Sequence, residues 1–147
     1  MKYLCVFANP KPKDEAKSKQ LFDSFKAGVI SKNSNADFKE IDLYEEVPPF
    51  YSYKTYRYFW YPVFMPNYVP TEDEQKDVEY SLKHCKLFNE ADYLVLVMPM
   101  WNFSVPGIMK TWIDQILMPN KVFSMSTEGV KPLHKIKQVI TLTSCGG

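Results

Sequence analysis

What the 147-residue chain lacks narrows its class before any motif is read. No apolar run approaches the ~20 residues that span a bilayer, so no membrane span is expected. Neither sign of charge is in excess: 18 basic and 17 acidic side chains leave a net charge of +1. That balance gives no electrostatic reason to expect nucleic acid or an anionic membrane as partner. Only three cysteines occur, Cys5, Cys85 and Cys145, far apart. An odd count without close pairs argues against a disulfide framework and a zinc knuckle, and fits unpaired thiols in a reducing cytoplasm. The two histidines, His84 and His134, have no companion at metal or triad spacing. They are expected as a helix-surface residue and a basic-loop residue, and no metal site is expected. No serine sits in a nucleophile elbow. Without side-chain machinery for hydrolysis, an enzyme built this way takes its chemistry from a cofactor. The chain opens on a strand-like run rather than a signal peptide, so a soluble cytoplasmic protein is expected.

Aromatic residues, by contrast, are abundant at 16% and unevenly placed. The length suits a single domain, residues 1–147, with one sizeable core. Lys2 to Ala8 is a short apolar run stopped by Asn9-Pro10-Lys11-Pro12, a buried strand. From Asp14 to about Lys32, Leu21, Phe22, Phe25, Val29 and Ile30 recur at helical spacing, with Asp14 and Glu15 at the positive helix end. Phe38, Ile41 and Leu43 form a second strand-like piece, completing a β-α-β unit. Residues 45–70 then break the pattern with five prolines and ten of the 23 aromatics. That proline density argues against a long regular helix, while the aromatics argue against disorder. The segment is an ordered excursion, either functional or a satellite cluster closing the core.

Thr71-Glu72-Asp73-Glu74 has the spacing of a capping box and opens a helix carrying Val78, Leu82, Cys85 and Phe88 to about Asn89. Tyr93 to Val97 is a continuous apolar run, the signature of a parallel strand buried on both faces. A loop from Pro99 to Phe103 leads into a helix from Ser104 to about Leu117, with Pro106 in its first turn. After a polar connection, Val139 to Thr143 is a fourth strand. The order β-α-β-insert-α-β-α-β is that of an α/β, doubly wound parallel sheet.

Ligands of such sheets bind beyond the carboxyl ends of the strands, which singles out three loops. The first, residues 9–18, contains neither Gly-x-Gly-x-x-Gly nor a Walker lysine. It does enter a helix amino terminus that favours an anion, with Asn9 and Ser18 as donors, although most serines so placed merely cap a helix. In the second, Pro99 makes the backbone turn and exposes the amides of Met100 to Phe103. Those amides, with Met100, Trp101 and the amide of Asn102, can read a flat heterocycle. The same loop also reads as a packed β–α turn with Asn102 as cap. The third ends in paired glycines, Gly146 and Gly147, which permit close approach to a ligand or an ordinary turn.

Here a family resemblance emerges. Ala91-Asp92, Leu94 to Val97 and Met98-Pro99-Met100-Trp101-Asn102-Phe103-Ser104 with Pro106 resemble the segment of FMN-dependent NADH azoreductases and NAD(P)H:quinone oxidoreductases that wraps the isoalloxazine. Val122 to Gly129 is similar to the same family's next loop, and Thr143-Ser144-Cys145-Gly146-Gly147 to its flavin-edge loop. The order and spacing of the blocks also match. The resemblance implies a flavodoxin-like sheet of order 2-1-3-4. It places Pro99, Met100, Trp101, Asn102 and Phe103 on the flavin ring, Ser144, Gly146 and Gly147 at its other edge, and Asn9 and Ser18 on the phosphate. It implies bound FMN, NADH or NADPH as donor, and a quinone or azo compound as acceptor, with the flavin N5 rather than a side chain carrying the hydride. It also implies a homodimer, with the aromatic insert as a pocket wall.

The sequence departs from that family at several points. Ala16 stands where a second serine is usual, with Lys17 between it and Ser18, so phosphate binding is expected either to be weaker or to be taken over in part by lysine charge. Met125 replaces a common aromatic and Cys145 a common arginine. Gly147 falls where the family continues through a further strand and helices, leaving the fourth strand as an apolar edge for another chain to cover. A second reading is therefore a truncated, non-catalytic protein acting through oligomer or partner binding. A flavodoxin-type electron carrier fits less well, since such carriers present acidic surfaces.

Overall fold

A computed structural model describes residues 1–145. The elements run β1 (Lys2–Phe7), α1 (Lys17–Lys32), β2 (Asp37–Asp42), α2 (Tyr53–Phe64), α3 (Glu72–Asp77) and α4 (Glu79–Glu90). There follow β3 (Tyr93–Pro99), α5 (Gly107–Ile116), β4 (Phe123–Ser126), β5 (Gly129–Pro132) and β6 (Gln138–Ser144). The chain divides into two units: residues 1–47, 91–110 and 136–147, and residues 48–90 and 111–135.

The first unit holds a four-stranded parallel sheet of order β2-β1-β3-β6. This is the expected arrangement, β6 being the fourth strand of the sheet. Its central strands earn their positions by composition: Leu4, Cys5, Val6, Val95 and Val97 are buried, as a parallel sheet covered on both faces requires. On one face Tyr3, Cys5, Phe7, Val95 and Val97 meet Phe22 of α1, with Phe25 and Val29 beside it. Register is fixed by aromatic stacking across three strands. Tyr3 faces Phe38 on one side and Tyr93 on the other, and both ring pairs stack at 4.8 Å. At one edge lies β6, where Val139 remains 54% exposed.

Helix α1 starts later than its periodicity predicts. The amides of Glu15 and Ala16 both bond the Pro12 carbonyl, closing a separate turn before the helix begins at Lys17. Asp14 and Glu15 therefore lie outside the first helical turn, and no acidic residue occupies it.

The second unit is built on α2, α3, α4 and a β4–β5 hairpin. Proline density is misleading here: Pro48, Pro49, Pro66 and Pro70 all fall outside α2, and only Pro62 lies inside it, in the last turn. A 12-residue helix results, where the proline count argued against one. Ser52 caps it, accepting the Thr55 amide. The capping box at Thr71 forms as its spacing predicts, Thr71 Oγ1 accepting the Glu74 amide and Glu74 Oε2 accepting the Thr71 amide. The helix it opens does not run through to Asn89. Buried Val78 interrupts it with φ −101° and ψ 6°, separating α3 from α4. Glu74 is buried, and its charge is answered by Arg57 Nε at 2.9 Å and by the Tyr68 hydroxyl at 2.7 and 2.8 Å from its two oxygens.

His84 is not a surface residue. It is buried, its Nδ1 accepts the Trp112 indole N–H at 3.0 Å, and the Tyr80 ring stacks on it at 4.1 Å. Ser81 Oγ donates to Gln115 Oε1, and Gln115 Nε2 donates to the Pro49 carbonyl at 2.8 Å. The polar connection after α5 contains the antiparallel β4–β5 hairpin, whose four-residue strands are too short for a clear alternation. Along α2, Tyr53, Tyr56, Trp60 and Phe64 stack in sequence at 6.3–6.5 Å. Tyr53, Tyr56 and Phe64 of this ladder are exposed.

Candidate functional site

The carboxyl ends of β1, β3 and β6 converge. Pro99 lies opposite Ser144 in the β3–β6 register, and the Met100 amide donates to the Ser144 carbonyl at 2.9 Å. The Ala8 amide donates to Val97, so Asn9 leaves the sheet beside the same strand. Around this convergence is a cavity of about 220 Å³ lined by Asn9, Lys11, Glu15, Lys17, Pro99, Met100, Trp101 and Ser144. Five of the expected site residues, Asn9, Pro99, Met100, Trp101 and Ser144, therefore face one space.

Ser18 is placed differently. It is fully buried and absent from the cavity wall, its Oγ accepting Asn9 Nδ2 at 3.0 Å. Asn9 Oδ1 in turn accepts the Lys11 amide at 3.1 Å. The serine thus holds Asn9 from behind, and Asn9 shapes the loop that carries Lys11.

Asn102 does not cap α5, and the helix begins at Gly107 rather than Ser104. Trp101 and Ser104 exchange both backbone hydrogen bonds, at 3.1 and 2.9 Å. Between them Asn102 and Phe103 have φ of +49° and +59°. Two consecutive positive φ values inside such a bridge are the pattern of a type I′ turn. Asparagine tolerates this region; phenylalanine rarely does. Phe103 is 98% exposed, so no packing accounts for its strained backbone, and such strain clusters at ligand sites. Neither residue lines the cavity. Their main-chain amides have no hydrogen-bond partner among the described residues. Gly146 and Gly147 lie outside the described residues.

Chemically the cavity lining is of two kinds. Asn9, Lys11 and Lys17 supply an amide and two cations, with Glu15 opposing them. Pro99, Met100 and Trp101 supply apolar surface, Met100 and Trp101 being 42% and 44% exposed. A ligand that is anionic at one end and flat and apolar at the other fits these residues. Drug-sized ligand pockets run from roughly 300 Å³ upward, and this space is smaller, at about 220 Å³. Lys11 carries no sequence signal as a site residue, its type and place being those of an ordinary solvated loop, and Glu15 reads in the sequence only as a helix-end acid. Among the described residues no group of three or more histidine, cysteine or acidic side chains could hold a metal. No helix among them is long and apolar enough to cross a membrane.

A doubly wound parallel sheet with a loop-built cleft at its strand ends defines a class of nucleotide- and flavin-binding α/β proteins. The particular family follows from comparison: the model of the flavodoxin-like fold matches residues 1–147, and the chain belongs to that family. It is 31% identical to an FMN-dependent NADH:quinone oxidoreductase of Brevibacillus brevis over 147 residues, 99% of this chain and 69% of that protein. FMN-dependent NADH:quinone oxidoreductase 2 of Clostridium acetobutylicum is also 31% identical, with 99% of this chain and 68% of that protein covered. Among solved structures, an azoreductase from Bacillus anthracis str. Sterne superposes with a TM-score of 0.85 at 31% identity, covering 99% of this chain and 69% of that one. An FMN-dependent NADH-azoreductase from Bacillus anthracis str. Ames Ancestor, solved in complex with FMN, gives 0.81 at 25% identity, covering 100% of this chain and 70% of that one.

Proposed function

We propose that this chain is an FMN-dependent oxidoreductase that passes a hydride from NAD(P)H to quinones or azo compounds. The observation that carries the reading is the cavity at the ends of β1, β3 and β6, whose lining joins polar and cationic Asn9, Lys11 and Lys17 to apolar Pro99, Met100 and Trp101. FMN, which the relatives' names specify, supplies reversible hydride transfer when bound. The chain's own residues then bind and orient. When FMN is bound, Met100 and Trp101 would flank its ring, the amides of Asn102 and Phe103 would offer donors to its heteroatoms, Ser144 would lie at its other edge, and Asn9, steadied by Ser18, would meet the phosphate. Holding donor and acceptor in turn against one ring face is a positioning task.

The finer reading is a cytoplasmic homodimer built on one flavin-binding domain. Support for association is the exposed ladder of Tyr53, Tyr56 and Phe64 on α2, an apolar stripe of the kind that marks interfaces. The comparisons support the oxidoreductase reading and lend nothing to a non-catalytic partner-binding protein.

Titrating the protein with FMN is the direct test. Quenched flavin fluorescence, a raised melting temperature and NADH- or NADPH-dependent reduction of a quinone are expected. A protein that neither quenches FMN nor is stabilised by it would sink the proposal. Mass measurement in solution checks the dimer, and a monomer at all concentrations would refute it.

A further inference from the structure

We propose that the cavity between α4 and the loop after α5 is a second ligand site, one that takes a small amino dicarboxylate. The cavity, of about 360 Å³, is lined by Leu82, Cys85, Lys86, Asn89, Glu90 and Lys121. It shares no residue with the cavity at the strand ends. Asn89 carries the argument. Its Nδ2 donates to the Lys121 carbonyl at 2.7 Å, which fixes the orientation of the amide. Oδ1 is then left buried with no hydrogen-bond donor, the sole such side-chain atom among the described residues. A buried acceptor without a partner is costly and rare, so this atom calls for a donor from outside the chain.

The charges around Asn89 specify what else such a ligand carries. The side chains of Lys86, Lys121 and Glu90 form no hydrogen bond or ion pair among the described residues. Lys86 and Glu90 sit one turn apart on α4, in the order that is the weaker for an i,i+4 pair. Lys121 lies close enough to Cys85 for its charge to act on the thiol, which brings a second ammonium to the same wall. The last turn of α4 holds no basic residue, so the negative end of the helix dipole is unanswered. Two cations and one anion are the complement of two carboxylates and one ammonium. The ligand's ammonium donates to Asn89 Oδ1 and meets Glu90 and the helix end, while its carboxylates meet Lys86 and Lys121. Its short aliphatic segment lies against Leu82 and Cys85, whose thiol is already occupied with the Ile116 carbonyl at 3.3 Å.

Calorimetric titration of the full chain with L-glutamate and L-aspartate tests this, with glutarate as the probe that lacks the ammonium. One of the two amino dicarboxylates should saturate below about 10 mM, and glutarate should bind about fivefold more weakly. Lys86→Ala and Lys121→Ala should each weaken the amino dicarboxylate about fivefold. Glu90→Gln should weaken it likewise yet tighten glutarate, an inversion expected of a carboxylate that faces the ligand's ammonium. Lys86 and Glu90 are exposed, and circular dichroism checks that each variant folds. No saturable heat with either amino dicarboxylate overturns the inference, and so does an affinity that Lys86→Ala and Glu90→Gln leave unchanged. Equal affinity for glutarate and the amino dicarboxylates overturns it too, since Asn89 would then take its donor from water. FMN plays no part in these outcomes, so a failure here leaves the flavin reading standing.

Discussion

Phe103 holds a φ of +59° and is 98% exposed, so a Phe103→Gly change removes little packing and much strain. The left-handed conformation costs a non-glycine residue about 1–2 kcal/mol. Glycine brings an opposing cost of about 0.5–1 kcal/mol from its freer unfolded chain. The difference is a net stabilisation of about 0.5–1 kcal/mol. For a chain of this length that is a rise of roughly 1–4 °C in melting temperature. The assay is thermal unfolding of the flavin-free protein, followed by circular dichroism. If the strain serves flavin binding, the same variant should bind FMN several-fold more weakly, the usual exchange of stability for function. A melting temperature that falls would refute the strain argument. A rise with FMN affinity intact would refute the functional part alone.

Further expectations concern the scaffold. Burial alone would raise the Glu74 carboxyl, but hydrogen bonds from Tyr68 and Thr71 and the charge of Arg57 outweigh it and hold the group below its ordinary 4.5. A depressed carboxylate stabilises the fold fully above that value, and the contribution fades as pH falls toward the folded value. Glu74→Gln should thus be less stable than wild type at neutral pH, with the gap in urea midpoint closing toward pH 3. A constant gap would contradict this. His84→Leu leaves the buried Trp112 N–H without its acceptor and should cost about 1–3 kcal/mol in denaturant unfolding, whereas a neutral result would mean that the indole finds another partner. Burial pushes the Cys5 and Cys85 thiols up to about 12, while Cys145 is exposed. Under native conditions a disulfide reagent should therefore titrate one thiol quickly, and the other two only after unfolding; three fast equivalents would contradict the buried placement.

Much of this architecture is legible in the chain because local signals and tertiary demands agree. Tyr93 to Val97 reads as a buried strand since both faces must be apolar, and Thr71 with Glu74 reads as a cap since the reciprocal bonds need only three-residue spacing. Failures cluster where long-range partners decide. His84 reads as a surface residue because its acceptor role depends on Trp112, 28 positions away. Pro62 argues against a helix only if its place in the final turn is unknown. Val78 breaks α3 from α4 without any glycine or proline to announce it. At the site, Pro99, Met100, Trp101 and Ser144 are visible because strand ends mark loops. Ser18 is buried and Lys17 exposed because Ser18 lies one turn before buried Phe22 on the same helix face, while Lys17 lies off that face.

The Phe38–Tyr3–Tyr93 stack also has a consequence in time. Tyr3 and Tyr93 are about 90 residues apart, so on a ribosome adding roughly 5–20 residues per second β1 waits some 5–20 s for its neighbour β3. Throughout that interval Leu4, Cys5 and Val6, buried in the finished sheet, have β2 but not β3 beside them. One of the two central strands of the sheet thus waits for its second neighbour until Val97 has been made.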